Sequence, residues 1–543
     1  MEERKSEGQR LALSSLIVMG GFVASKAIGI VRQSLIARTF GVSASLDAYY
    51  AAFKLPELIL TLVAGGAVAT TFIPLFADLV ARGDKDRAWR LASTALNVLL
   101  AVTGLVTLLA AAFAPWLVRH AIAPGFDPKL QALTAELMRI VLVSSLVFCA
   151  SSLAMSILQA HERFLLPALA DFFYDVGIIC GAIFLAPRLG IHGLAMGVVL
   201  GALFHLLIQV PGLAQVRARY VPTFRAGRGG PGEGSLLQLA ALMVPRILIL
   251  GMFQLVFLFT TSMASQLPEG SVTAISMGWI VMQMPEVIFG MAIATAAFPA
   301  MSRLAAQGDR QALQKTVLDA LRAILFLTLP SAVALLLLGR RYIAILFGSA
   351  AFDERAIAMV YQATAAFTAG LLGHAVLELA ARVFYAHKNT LTPFWFALGA
   401  TALNVGLCIA LAPWLGHAGL ALANSIAVTL QAGTLLWLGW RTRLRSGVDD
   451  KLMAGTWRAV WKLLWHAALA STAMGACIWL VTNRLGTVDK LTTSPWGNFW
   501  VALAGSAAGG GVYLGIVGKL TGLLNRDQVR ALAQIAFRRK PVF

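Results

Sequence analysis

Charged residues are scarce in this sequence. Of its 543 residues only 13% are Asp, Glu, Lys or Arg, whereas a soluble domain carries roughly 25%. Residues of the set AVILMFWYC make up 59%, and the mean hydropathy is +0.77. So little charge cannot cover a water-facing surface of this size. The composition therefore excludes a row of soluble domains and predicts that most of the surface faces lipid.

Cysteine and phosphate-binding motifs are also sparse. The four cysteines, Cys149, Cys180, Cys408 and Cys477, lie far apart in apolar stretches, without the spacing of a disulfide framework or a metal site. The sequence has no G-x-x-x-x-G-K-[ST] motif, and no loop is long enough for a catalytic domain. It also lacks the nucleotide-sugar site and large polar loop of a membrane glycosyltransferase. We therefore expect a protein that is not an enzyme, with no catalytic residues and no metal ligands.

Long apolar segments are what the sequence does contain. A hydrocarbon core about 30 Å thick needs about 20 apolar residues of helix, and about 14 such segments follow one another along the chain. Gly, Ala, Ser and Thr are frequent within them, as in helices that pack closely in lipid. We predict an all-α integral membrane protein of about 14 transmembrane helices.

The basic residues account for the net charge of +19. With the N-terminus placed inside, Lys and Arg concentrate in the cytoplasmic connections, which is the positive-inside bias. An even number of helices then puts both termini in the cytoplasm. The charge indicates membrane orientation and attraction to anionic lipids, and no nucleic-acid partner is expected. No removable signal peptide is expected either.

An internal repeat is visible without alignment. Residues 160–167 (AHERFLLP) match 386–393 (AHKNTLTP), and 186–195 (APRLGIHGLA) match 412–421 (APWLGHAGLA), both at an offset of 226. Both copies begin on the same side of the membrane, so the repeat is parallel. Two such lobes around a site near the bilayer midplane are typical of transporters that rock one lobe against the other.

The repeat predicts five parts. They are an N-lobe of helices 1–6 (1–216), a cytoplasmic linker (217–234), a C-lobe of helices 7–12 (235–445), two additional helices (446–524) and a basic cytoplasmic tail (525–543).

Two cations near the middle of the first helix are the strongest functional candidates. A charge at bilayer depth costs at least about 2.5–3.5 kcal/mol, so Lys26 and Arg32 need a reason to be there. They point about 120° apart and could flank one cavity between the lobes. The first two helices offer only Asp47 or Glu57 as counter-charges. An anionic cargo such as a pyrophosphate would supply the missing negative charge.

Other ionisable side chains at membrane depth are candidates for gating or ion coupling. They are Lys54, Glu57, Asp171, Asp175, Glu286, His374, Glu378 and Arg382. Spacings of three and four residues favour ion pairs between Lys54 and Glu57 and between Glu378 and Arg382. Burial against partners and ion coupling stay open as alternatives for the two aspartates. The candidates for substrate binding are five: Ser25, Lys26, Arg32, Asp47 and Arg246, which follows Pro245.

Segment 25–57 (SKAIGIVRQSLIARTFGVSASLDAYYAAFKLPE) resembles the opening of the MurJ (MviN) family of lipid II flippases, within the multidrug/oligosaccharidyl-lipid/polysaccharide exporter superfamily. The stretches 72–74 (FIP) and 123–126 (APGF) are similar as well. The resemblance implies a multi-pass protein of the bacterial cytoplasmic membrane that moves polyprenyl-pyrophosphate-linked peptidoglycan precursor from the inner to the outer leaflet. It also implies a cationic central cavity and a lipid-tail groove beside the last two helices.

Residue by residue, the resemblance is incomplete. Ser25 and Lys26 stand where the family shows Ser-Arg, Arg32 keeps a second arginine, and Asp47 keeps an acidic residue. Four positions depart from the family pattern: Gln33 replaces an Asp, Leu60 and Ile280 replace arginines, and Glu378 stands where a basic residue is common. Either Arg246 and its neighbours compensate for the lost positive charge, or the cargo is less anionic.

Several alternative hypotheses therefore remain besides a lipid II flippase. They are a flippase for another lipid-linked oligosaccharide, an ion-coupled exporter of small amphipathic molecules, and a diverged relative that only scaffolds cell-wall enzymes. We expect no cofactor, with Na⁺, H⁺ or the membrane potential as the driving force. The expected partners are the lipid-linked saccharide, anionic lipids and cell-wall synthesis enzymes, and the expected state is a monomer.

Overall fold

The computed structural model describes residues 24–63, 67–223, 251, 254–444, 450–486 and 495–521, and these ranges contain helices and no strand. The helices, numbered in chain order, are α1 (24–40), α2 (Ala44–Val63), α3 (Ala67–Ala81), α4 (Lys85–Ala112), α5 (Pro128–Ala160), α6 (Leu165–Leu189), α7 (Ile191–Gln215), α8 (Gln254–Ala264), α9 (Ser271–Gln307), α10 (Arg310–Phe347), α11 (Glu354–Thr368), α12 (Leu371–Ala386), α13 (Leu391–Leu444), α14 (Asp450–Gly486) and α15 (Pro495–Thr521).

The prediction of an all-α membrane protein is confirmed. Within the described ranges, nine helices are long and apolar enough to cross a membrane, and α11 with α12, bent by 44°, would make a tenth. The predicted number of 14 is not confirmed. One reason is that α2 carries Asp47, Lys54 and Glu57, which is more charge than an apolar span ordinarily holds. The two predicted cytoplasmic termini, 1–23 and 522–543, lie outside the described residues.

The chain divides into two compact units. Unit 1 comprises Met1–Thr273 and Ser349–Ala356, and unit 2 comprises Ala274–Gly348 and Ile357–Phe543. The core of unit 1 packs α2 against α5 and α7, with Leu46, Leu137 and Leu194 fully buried. The lobe boundaries inferred from the repeat stay a prediction, since compactness and internal repetition are separate properties.

Helix starts are set by the same residue type at repeat-related positions. The carboxylates of Asp84 and Asp309 accept from the backbone N–H groups of Arg87 and Ala312, and so cap α4 and α10. Asp127 caps α5 in the same way, and Asp353 caps α11. An aspartate at the N-cap satisfies one of the donors that the first helical turn leaves unpaired.

Unusual backbone angles recur at the repeat offset. Gly190 has φ 58° and ψ −137°, and Gly416 has φ 57° and ψ −138°. Glu162 and Lys388 have φ of 59° and 58°, although neither is a glycine. Agreement this close at positions 226 residues apart supports the repeat read from the sequence.

A seam of glycines joins α6 and α7 within unit 1. A Cβ placed on Gly177 would lie 2.2 Å from Cα of Gly201, and one on Gly181 would lie 2.4 Å from Cα of Gly197. The two backbones therefore touch, which small residues allow in membrane helices. This contact fixes α6, which carries Asp171 and Asp175, against α7, which carries His205.

Candidate substrate-binding site

The polar face of α1 is the centre of the candidate site. At 100° per residue, Lys26, Gly29, Arg32 and Gln33 fall within an arc of about 120°. Lys26 is exposed, Arg32 is half-buried and Gln33 is buried. Ser25 is buried as well, and its hydroxyl has no hydrogen-bond partner among the described residues.

Asp175 of α6 is the partner of Arg32. Nη1 of Arg32 lies 2.5 Å from Oδ1 of Asp175, and the two side chains are 26% and 10% exposed. Lys26 lies within electrostatic range of the same carboxylate. The first two helices offered only Asp47 or Glu57 as counter-charges, but the carboxylate that pairs with Arg32 comes from α6, 143 positions away in the sequence.

Gln33, which stands where the family resemblance expects an aspartate, contributes no charge. Its Nε2 donates to the hydroxyl of Tyr50, and Tyr49 and Phe53 continue the aromatic surface on α2, with ring centroids 4.7 Å apart. Because an amide bonded to a phenol is neutral, the site loses the negative charge that an aspartate would bring there.

A row of polar side chains leads from Asp171 into the packed interior of unit 1. Oδ1 of the exposed Asp171 lies 3.5 Å from Nε2 of the buried His205, and Nδ1 of His205 lies 2.6 Å from the hydroxyl of Ser151. Nε2 of Gln209 donates to the same hydroxyl at 2.8 Å. Oε1 of Gln209 is buried without a partner among the described residues.

The predicted pair on α2 forms. Nζ of Lys54 lies 3.9 Å from Oε2 of Glu57 and 5.7 Å from the ring centroid of Phe257. Pro56 between them is buried. The charge of Lys54 is therefore balanced by a carboxylate on its own helix.

Asp47 occupies a different place from the one expected of a counter-charge to Lys26 and Arg32. Its Oδ2 accepts from the N–H of Gly270 at 2.6 Å, and its Oδ1 accepts from the N–H and the hydroxyl of Thr273 at 2.7 and 2.6 Å. These residues all belong to unit 1 and lie where α9 begins. Asp47 thus caps α9. A second hydrogen bond joins the start of α2 to the segment before α9, because Glu269 accepts from the N–H of Ala44 at 2.8 Å.

The ionisable residues of unit 2 form a separate group. Arg382 donates to the carboxylate and the backbone carbonyl of Glu378, and its Nη2 donates to the hydroxyl of Thr295 at 2.9 Å. Glu286 opens the π-helical segment Glu286–Met291 of α9 and lies within electrostatic range of Glu378 and Arg382. One cation there faces two carboxylates.

His374 of unit 2 makes polar and aromatic contacts. Its Nε2 lies 3.1 Å from Oδ1 of Asn424, and its ring meets Trp279 edge to face at 5.2 Å between centroids. Arg246, the fifth predicted substrate-binding residue, lies outside the described residues.

Three functional candidates were missed by the sequence analysis: His205, Ser151 and Gln209. His205 could have been found, because an ionisable residue inside an apolar helix is a functional candidate by itself. Ser151 and Gln209 carry no such signal, since neutral polar residues are common in membrane helices.

Comparison with known proteins places the chain in a family. The family model described as "Lipid II flippase MurJ" matches residues 36–494. The chain belongs to the lipid II flippase MurJ family. The lipid II flippase MurJ of Burkholderia cenocepacia is 32% identical over 439 residues, covering 79% of this chain and 84% of the relative. The probable lipid II flippase MurJ of Thermotoga maritima is 30% identical over 468 residues, covering 86% and 90%.

Solved structures agree on the fold. A lipid II flippase MurJ in an inward closed conformation matches with a TM-score of 0.76 at 23% identity, covering 96% of this chain and all of that one. An inward-facing MATE family transporter of the MOP superfamily matches with a TM-score of 0.66 at 18% identity, covering 79% and 96%. The predicted membership of the MurJ family is confirmed for residues 36–494.

Proposed function

We propose that this protein is an alternating-access flippase that moves polyprenyl-pyrophosphate-linked peptidoglycan precursor, lipid II, from the inner to the outer leaflet. The observation that carries the proposal is membership of the MurJ family over residues 36–494. The polar face of α1 directly precedes the matched range. Lys26 and Arg32 on that face would bind the headgroup phosphates, since cations that offer several N–H donors suit phosphate oxygens.

A groove in unit 2 suits the lipid tail. It has a volume of about 550 Å³ and lies between α10 and α14, with an apolar lining of Leu329, Val333, Leu337, Ala476 and Trp479 among others. A polyprenyl chain needs an apolar path while its headgroup crosses in water. This groove is our candidate for that path.

Growth of cells depleted of their own lipid II flippase tests the proposal. The wild-type chain is expected to restore growth, and the double variant Lys26→Ala/Arg32→Ala is expected to abolish it, because both headgroup cations are removed. Arg322→Ala is the matched control, since Arg322 is exposed and paired with Asp319 within α10. Full growth of the double variant, at equal expression, would overturn the headgroup site.

A less anionic lipid-linked saccharide is the second candidate cargo. Within unit 1, Leu60 supplies no positive charge, and Arg32 and Lys54 each contact a carboxylate. A site so nearly neutral favours a headgroup with one phosphate over one with two. Competition between undecaprenyl phosphate and undecaprenyl pyrophosphate for binding to the purified protein separates the two cargoes.

We also propose a cellular location, an oligomeric state and a driving force for this protein. We place the protein in the bacterial cytoplasmic membrane with both termini in the cytoplasm, as a monomer that works with cell-wall synthesis enzymes and contacts anionic lipids. Na⁺, H⁺ or the membrane potential would drive the cycle without a bound cofactor. Flipping of fluorescent lipid II in proteoliposomes, with each gradient imposed separately, tests the driving force.

A further inference from the structure

One nitrogen of the Arg32 guanidinium, Nη1, already contacts a carboxylate. Asp175 reaches it from α6, and both side chains are shielded, at 26% and 10% exposure. The donors of a guanidinium lie in one plane and serve carboxylates and phosphates with the same geometry. A phosphate that approaches Arg32 on the side of Nη1 therefore competes with the carboxylate of Asp175 for the N–H groups of that nitrogen.

We propose that Asp175 is a resident counter-anion of Arg32 that the phosphate-bearing headgroup of the cargo displaces, so that the ion pair and the bound headgroup exclude each other. This inference rests on the proposed function, because it takes Arg32 as a headgroup ligand. Asp175 is then a specificity-determining residue, since only a ligand with enough negative charge displaces it.

The displaced carboxylate has a second cation nearby. Lys26 lies on the same face of α1 and within electrostatic range of Asp175. Between Lys26 and Arg32 stands Gly29, where an added Cβ would lie 3.1 Å from Oδ2 of Asp175. The glycine keeps the space in which the carboxylate moves toward Lys26. Leaving a buried carboxylate without any cation would cost several kcal/mol, and the exchange avoids most of that cost.

The exchange also serves release. When the headgroup leaves, Asp175 returns to Arg32 and removes the site to which the phosphate would rebind. The carboxylate thus weakens binding and speeds dissociation. A transporter needs this balance, because a cargo that is held too tightly in one state is not delivered.

Binding of farnesyl pyrophosphate to the purified full-length protein in nanodiscs tests the inference, with farnesol as the uncharged control. Asp175→Asn is expected to bind farnesyl pyrophosphate about tenfold more tightly than the wild type, equivalent to about 1.4 kcal/mol. Asp319→Asn makes the same chemical change at an exposed aspartate paired with Arg322 on α10, and is expected to leave the affinity unchanged. The double variant Arg32→Gln/Asp175→Asn is expected to lose the gain.

Three results would overturn the inference: unchanged or weaker binding by Asp175→Asn, an equal gain in Asp319→Asn, or a gain that persists without Arg32. If Asp175→Asn does not fold, Gly29→Ala is the second test, because its methyl group fills the space into which the displaced carboxylate moves. It is expected to weaken the binding of farnesyl pyrophosphate, and unchanged or tighter binding there would also count against the inference. Equal affinities in a protein that still flips lipid II would reject this inference alone. Failure of the wild type to flip lipid II would reject the proposed function.

Discussion

The carboxylate of Asp47 shows how backbone and hydroxyl donors stabilise a buried acidic group in a membrane protein. It is 2% exposed and accepts three hydrogen bonds from Gly270 and Thr273. Buried polar groups of this kind are tolerated only when donors replace the lost water. The start of α9 supplies those donors, because the first N–H groups of a helix have no partner within it.

We therefore expect Asp47→Asn to destabilise unit 1. The asparagine keeps the shape but turns an NH₂ group toward one of the three donors, which costs about 1–3 kcal/mol. The measurement is the apparent melting temperature of the purified protein in detergent. Glu269→Gln is the matched control, because Glu269 is exposed and accepts only the N–H of Ala44. A melting temperature lowered equally by both variants would contradict the capping role.

The spacing of residues along one helix predicts some of the ion pairs, but it cannot predict ion pairs between different helices. Lys54 with Glu57, and Glu378 with Arg382, follow from helical spacing alone, because residues three or four apart share a face. The pair of Arg32 with Asp175 joins α1 to α6 and depends on how these helices pack. No periodicity in the sequence encodes that contact, so the sequence left Arg32 without its actual counter-charge.

At the scale of helices, the break at Gly416 separates the two halves of α13. Pro413 and Gly416 indicate this break in the sequence, and the earlier copy has Pro187 and Gly190 in the same arrangement. The π-helical segments, such as Gly181–Leu185 in α6, were not predicted. A π-helical turn is set by the packing around it and has no residue signature comparable to proline or glycine.

Replacing Gly416 tests the need for this break. Its φ of 57° and ψ of −138° lie in a region that other residues rarely adopt, and no atom of the described residues would touch an added Cβ. Gly416→Ala is therefore expected to cost about 1–3 kcal/mol through the backbone alone. The measurement is the apparent melting temperature in detergent.

Gly399→Ala is the control on the same helix. An added Cβ at Gly399 also meets no atom, but its backbone is helical, so alanine is expected to stabilise by up to about 1 kcal/mol. Equal melting temperatures for the two variants would mean that the break at Gly416 imposes no backbone constraint.

For the whole molecule, cargo chemistry makes two separate demands. Unit 1 offers charged groups on α1 and α6, while unit 2 offers the apolar groove between α10 and α14. A lipid-linked saccharide carries both kinds of group on one molecule, whereas a small amphipathic drug carries no long tail. Dependence of transport on tail length therefore distinguishes the two classes of cargo.

Filling the groove should make transport depend on the tail. Ala476→Trp places a large ring in the space beside Leu337 and Trp479, and is expected to slow flipping of lipid II with a full undecaprenyl tail at least severalfold. A lipid II analogue with a short farnesyl tail should be flipped at the wild-type rate, because its tail does not need the whole groove. The measurement is the rate of flipping of both substrates in proteoliposomes.

Leu480→Trp is the matched control, since Leu480 is exposed on α14 outside the groove lining. Equal slowing of both substrates by Ala476→Trp would show that the ring disturbs the helix and not the tail, and would remove the groove from the cargo path.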